Sequence, residues 1–241
     1  MRVMELLLEP ILYIVIILPL LLIFMKERTK KNYLRVASIV VCYFIYYFAL
    51  TVQYQFDCLN IIGGNWNWDG KIYGTVCGLV MYFIFRRQFS DNDFFTLKQN
   101  KDGLKSALTV AGVLVAFFIL SGVVAEKEFN LETLFFQISM PGIDEEIMYR
   151  GVLLGLMCSA LRSGGAAWRN PAIIINGILF GLAHSLMYQD GKLVFNVGPF
   201  ISIGMVGYAF GYIAFKTRSI LIPMLTHNIC NFSKTLLSMI L

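Results

Sequence analysis

Long apolar blocks separated by short polar connections dominate this chain. Eight can be traced, at about residues 6–25, 34–53, 71–85, 105–125, 131–160, 171–188, 194–215 and 219–240. A hydrocarbon core about 30 Å thick asks a helix for about 20 apolar residues. Alternating stretches of about ten residues, the mark of a membrane β-barrel, are absent. The pattern predicts an all-α fold: one integral membrane domain over residues 1–241, a polytopic helical bundle of about eight transmembrane helices. The third block is short and reads as tilted or partly interfacial. The fifth is too long for one span, and Pro141-Gly142 interrupts it. A proline inside a helical pattern usually ends or kinks the helix. The block is therefore expected to split into an interfacial or re-entrant piece over 131–140 and a true span from about Ile143. Gln88–Gly103, the most polar stretch, reads as a solvated connection.

Composition sharpens this picture. The chain is 58% hydrophobic and 15% charged, against roughly 45–50% and about 25% in soluble domains. Lipid is needed to cover the excess. The net charge of +5 points to orientation, not to nucleic acid. The connections at 26–35, 86–105, 162–169 and 216–218 carry fourteen Lys and Arg, whereas the opposite side carries four, namely Arg2, Lys71, Lys127 and Lys192. Such a bias places the rich side in the cytoplasm and both termini outside. The basic run after the first block reads as the flank of a retained helix, not of a cleaved leader. Four of the five cysteines lie in apolar blocks and only Cys58 lies in a loop, so no disulfide framework is implied. Trp66, Trp68 and Trp168 lie near proposed span ends, as interfacial anchors often do.

Ionisable residues inside spans are costly, by about 2.5–3.5 kcal/mol each on insertion scales, and each asks for a reason. Here they are few: Asp144, Glu145, Glu146 and Arg150 in the fifth block, His184 in the sixth, His227 and Lys234 in the eighth. The two histidines are the only ones in the chain. Glu146 and Arg150 are four apart and can pair on one helix face. Glu145, rotated by about 100°, is left unpaired, and an unpaired buried carboxylate is a candidate general base. His227 and Asn231 also share a face, and together can donate to one developing oxyanion. Taken singly, each residue has a plainer role. Glu146–Arg150 is a structural ion pair, His184 a helix bridge, Asn231 helix glue, Asp144 an N-cap, Lys234 a snorkelling cation and Cys230 a buried thiol. Two histidines, two glutamates, an arginine and an asparagine on three helices are hard to scatter by structure alone.

The set Glu145-Glu146-x-x-x-Arg150, Phe180-x-x-x-His184 and His227-x-x-x-Asn231 resembles the motifs of the CPBP family of intramembrane proteases. That family includes type II CAAX prenyl endopeptidases and Abi-type bacteriocin-immunity proteins. The resemblance covers about residues 131–235. It implies an eight-helix core and peptide-bond hydrolysis by water, with a peptide or protein substrate reached in the bilayer. Glu145 would activate the water with help from His184. Glu146 and Arg150 would orient the site, and His227 and Asn231 would form the oxyanion hole. The family's chemistry is read either as metal-free or as zinc-dependent, the latter through Glu145, His184 and His227 with an open position. No HExxH motif is present, and no cofactor is the preferred reading. A non-catalytic immunity or scaffold protein of the same fold is the alternative. A transporter using the carboxylates as a proton relay is a third, disfavoured because no inverted repeat of broken spans is visible. One tension is built into the sequence. Counted at about 1.5 Å per residue from the cytoplasmic ends, His227 falls about 12 Å deep, and His184 and Glu145 about 20 Å or deeper.

Overall fold

The computed structural model describes residues 3–124, 126–189 and 191–241, without the side chains of residues 3–6. Arg2, one of the cations counted above, lies outside the described residues. The apolar blocks fold as α1 (Val3–Ile23), α2 (Lys30–Thr51), α3 (Trp68–Phe85), α4 (Lys101–Val123), α5 (Leu131–Glu145), α6 (Leu154–Ala160), α7 (Pro171–Ala183), α8 (Val197–Thr217) and α9 (Leu221–Ile240). A π-helical stretch, Glu146–Leu153, joins α5 to α6, so the described residues form eight helical rods. Asparagine caps four of them. Asn67, Asn100, Asn130 and Asn170 each accept a first-turn backbone N–H at α3, α4, α5 and α7, satisfying donors the helix cannot.

Three helical stretches, Lys30–Tyr54, Lys101–Val123 and Val197–Thr217, are long and apolar enough to cross a membrane by length and composition; Leu7–Ile23 and Pro171–Ala183 are shorter apolar helices. The expected count of about eight spans is thus matched in rods, but only these three meet the requirements of a span. Their outward faces are apolar: Phe117, Leu120, Ile201 and Met205 are all exposed. The buried face of α4 consists of small residues, Gly103, Ala107, Ala111 and Gly122. A Cβ on Gly103 would collide with the Lys216 carbonyl, and one on Gly122 would lie 2.6 Å from the Lys234 carbonyl. Backbones approach this closely when helices associate through small residues.

Four expectations are corrected. The chain does not break at Pro141; a single helical rod runs from Leu131 to Ala160. A proline removes one helical hydrogen bond and disturbs its neighbours, and a neighbouring helix can satisfy the groups set free. Asn228 of α9 does this here, its Oδ1 accepting from the Gly142 N–H at 2.8 Å. Asp144 therefore lies in a helix interior and is not an N-cap. The sixth block ends as a helix at Ala183, and Leu186–Gln189 (β1) pairs antiparallel with Lys192–Phe195 (β2). This hairpin is the one departure from an all-α chain among the described residues. Finally, the stretch after Gln88 is not simply solvated, because Phe89 and Phe94 are fully buried.

The rods alternate in direction, which gathers the cation-rich connections at one end. There the Lys26 N–H donates to the Ala160 carbonyl and the Asn100 N–H to that of Thr217. Buried Arg35 donates to the Gln88 and Ser159 carbonyls at 2.9 Å and to Ser90 Oγ at 2.7 Å. At the other end the hairpin meets α1, with the Tyr188 N–H donating to Glu9 and Tyr13 to the Leu186 carbonyl. The loop before α3 docks there on α5 through Trp66 Nε1–Thr133 and Asn65–Glu132 bonds.

Candidate active site

The π-helix follows directly on the two glutamates. Its i→i+5 hydrogen bonding, as from the Leu154 N–H to the Tyr149 carbonyl, widens the turn, a distortion common at functional sites. Glu146 and Arg150 remain paired across it at 2.8 Å, and both are fully buried. Arg150 Nη2 also donates to the Gly207 carbonyl of α8 at 2.9 Å. Its guanidinium lies 4.6 Å from the Phe180 ring centre, 5.4 Å from Phe210 and 5.6 Å from Tyr149. Aromatic faces attract a cation, more so when it is desolvated. Gly207 makes room for this stack, because a Cβ there would lie 2.7 Å from Phe180. His227 Nδ1 meets the same Glu146 oxygen at 2.9 Å. A carboxylate only accepts, so the imidazole donates there. The His227 ring stacks on Phe210 at 4.7 Å between centres.

A second cluster lies one residue upstream, and the sequence reading missed its centre. Lys71 does not belong to an outer loop. It sits in the first turn of α3, where its Nζ donates to Glu145 Oε1 at 2.6 Å and to Asp144 Oδ2 at 2.9 Å. Tyr46 donates to the same Asp144 oxygen at 2.7 Å. Glu145 is therefore not unpaired, as the sequence suggested; only its Oε2, buried without a hydrogen-bond partner, is free. A signal for this was present in Gly70, Gly74 and Gly78, a four-residue stripe beside Lys71 that invites close helix approach. A Cβ on Gly74 would strike Asp144, and one on Gly78 would lie 2.8 Å from Ile147.

Both clusters border one cavity of about 490 Å³, lined among others by Lys71, Gln137, Glu145, Phe180, His184, His227 and Asn231. Five of the six predicted site residues are therefore close together: Glu145, His184, His227 and Asn231 on its wall, with Glu146 directly behind His227. Arg150 lies behind Glu146. The depth mismatch counted along straight helices does not keep these residues apart, since Glu145, His184 and His227 line one cavity. His184 caps the C-terminal end of α7, and Glu145 lies midway along the long rod. His184 Nδ1 contacts the Phe180 carbonyl at 2.8 Å. A carbonyl only accepts, so Nδ1 carries the proton and leaves Nε2 as an acceptor in the neutral ring. His227 Nε2 stands 3.9 Å from Glu145 Oε2, a separation that one water can bridge.

Glu145, His184 and His227 do not fit a zinc ion as they stand. No group of three His, Cys, Asp or Glu among the described residues is placed to hold a metal. The Lys71 ammonium on Glu145 also opposes a second positive charge at that carboxylate.

Comparison with known proteins agrees with the motifs. Residues 127–233 match the family model described as type II CAAX prenyl endopeptidase Rce1-like, a stretch holding all six motif residues. The match spans less than half of the chain and supports membership of the CAAX/CPBP family, which points to a protease. No curated protein and no solved structure matches the chain.

Proposed function

We propose that this protein is an intramembrane endopeptidase that hydrolyses a peptide bond of a membrane-associated substrate with water activated by Glu145, without a metal. The observation carrying this reading is that Glu145, with its Oε2 free of any hydrogen bond, lines the same cavity as His184 and His227. Two acceptors, Glu145 Oε2 and His184 Nε2, take both hydrogens of one water and aim its lone pair at a carbonyl carbon. Glu145 removes a proton as the oxygen attacks. His227, donating from Nε2, and the Asn231 amide hold the carbonyl oxygen as charge develops there. Collapse of the tetrahedral intermediate breaks the C–N bond, and the proton taken by Glu145 passes to the leaving amine. Lys71, donating to Glu145 Oε1, keeps the carboxylate aimed. Prenylated proteins and leader peptides both fit a site of this chemistry.

The decisive experiment compares peptide termini in membranes of cells making the intact protein or the Glu145→Ala variant. A terminus that depends on Glu145 is expected. If none appears while the variant keeps the biological activity, the scaffold reading replaces this one. Cleavage should also survive strong chelators; loss restored by added zinc would overturn the metal-free assignment.

A further inference from the structure

The cavity has a direction. Its lining runs from the middle of the bundle, at Glu145, His184 and His227, to the loop before α3 (Trp66, Asn67), Lys127 after α4 and Lys234 of α9, at the end away from the cation-rich connections. None of the lining residues belongs to those cation-rich connections. The reason lies in the packing. α8 packs on α7 and α4, and α9 on α4 and α5, with α8 and α9 joined at the cation-rich end by Arg218–Ile220. The cavity is lined from both α8 and α9, and its outermost lining residues, Trp66, Asn67, Lys127 and Lys234, lie toward the end that carries the hairpin.

Charge makes a second, independent mark at the same place. Of the cations at this end among the described residues, Lys71, Lys127 and Lys234 line this cavity and Lys192 does not. Lys71 is occupied by Asp144 and Glu145. Lys127 and Lys234 are exposed, and among the described residues neither has an ion-pair partner. Cationic charge is thus scarce on this face and concentrated where the cavity opens.

Together with the fourteen-to-four bias, which puts this end outside the cell, the geometry points to a site loaded from the extracytoplasmic face. We infer that the substrate is a polypeptide segment presented on that face, bearing a carboxylate near the scissile bond that seats between Lys127 and Lys234. This inference rests on the protease reading and narrows its substrates. A segment displayed only in the cytoplasm would meet the closed end.

Two measurements test it. Cys58 is the one exposed cysteine among the described residues and lies in the loop that leads to the cavity mouth. A membrane-impermeant maleimide applied to intact cells should label it, and Cys58→Ser should abolish that label. Labelling only after permeabilisation overturns the inference. The Glu145-dependent termini should fall in segments exposed outside the cell. If they fall in cytoplasmic segments, the inference fails while the protease reading stands. If no such terminus exists and Cys58 still labels from outside, the protease reading fails and takes the inference with it. On a substrate so identified, Lys127→Glu/Lys234→Glu should lower kcat/KM about tenfold, chiefly through KM, as expected for charges at a rim. The position of the cut separates a side-chain carboxylate from a chain terminus as the group recognised. An unchanged KM removes the carboxylate from the inference.

Discussion

Two buried ion clusters stand one residue apart in sequence, and they differ in what they border. The Glu146–Arg150–His227 cluster lies wholly within the family-matched segment. Its guanidinium is covered by three aromatic rings and held by a backbone carbonyl. The Lys71–Asp144–Glu145 cluster joins that segment to α3, in the unmatched half of the chain. Each cluster keeps two buried polar atoms without a partner, Glu146 Oε2 and Arg150 Nε in the first, Asp144 Oδ1 and Glu145 Oε2 in the second. What separates them is place: of the two glutamates only Glu145 lines the cavity, and Glu146 lies behind His227. The difference teaches which glutamate reacts. Glu146 uses one oxygen to tie arginine to histidine, and Glu145 stands on the cavity wall with an oxygen 3.9 Å from His227 Nε2.

The comparison can be broken at several points. The largest loss is expected from Arg150→Ala, which strands Glu146 as a buried charge. Removing one member of such a pair costs about 3–5 kcal/mol, so the amount of folded protein in the membrane should fall along with activity. Normal levels would show that the Glu146 cluster is not structural. Lys71→Met should cost a similar amount, but it separates differently. Adding Asp144→Asn restores charge balance, and the double variant should recover folded protein without recovering rate. Lys71→Arg, which keeps the charge, should recover part of both. If Lys71→Met/Asp144→Asn cleaves at the wild-type rate, Lys71 serves the fold alone.

Smaller effects sharpen the same contrast. Asn231→Ala removes one oxyanion donor, and rate should drop about 10²–10³-fold with folded protein unchanged. A drop in protein level with a normal specific rate would return Asn231 to helix packing. Asn228→Ala orphans the Gly142 N–H, for a loss of about 1–3 kcal/mol read as a lower thermal midpoint in detergent. An unchanged midpoint would mean that the helix passes Pro141 without help from α9.

The sequence made some of this legible and hid the rest for physical reasons. The apolar blocks, the ion pair Glu146–Arg150 and the gathering of six polar residues could be read directly, because burying such groups demands a reason. The continuity of the helix through Pro141 could not, since the rule against interior proline is local and Asn228, which offsets it, lies 86 positions away. The π-helix has no residue pattern of its own. Lys71 was misplaced because a lysine at the start of an apolar block looks like a flank. Its partners are 73 and 74 residues distant, and only the glycine stripe beside it hints at a docking helix.

The most direct test of the account is Glu145→Gln, measured as cleavage rate per folded protein in the membrane. Glutamine keeps the volume and still accepts a hydrogen bond from Lys71, but it cannot take a proton from water. The variant should insert and fold while its cleavage falls to background. Cleavage at the wild-type rate would contradict the assignment of Glu145 as the base.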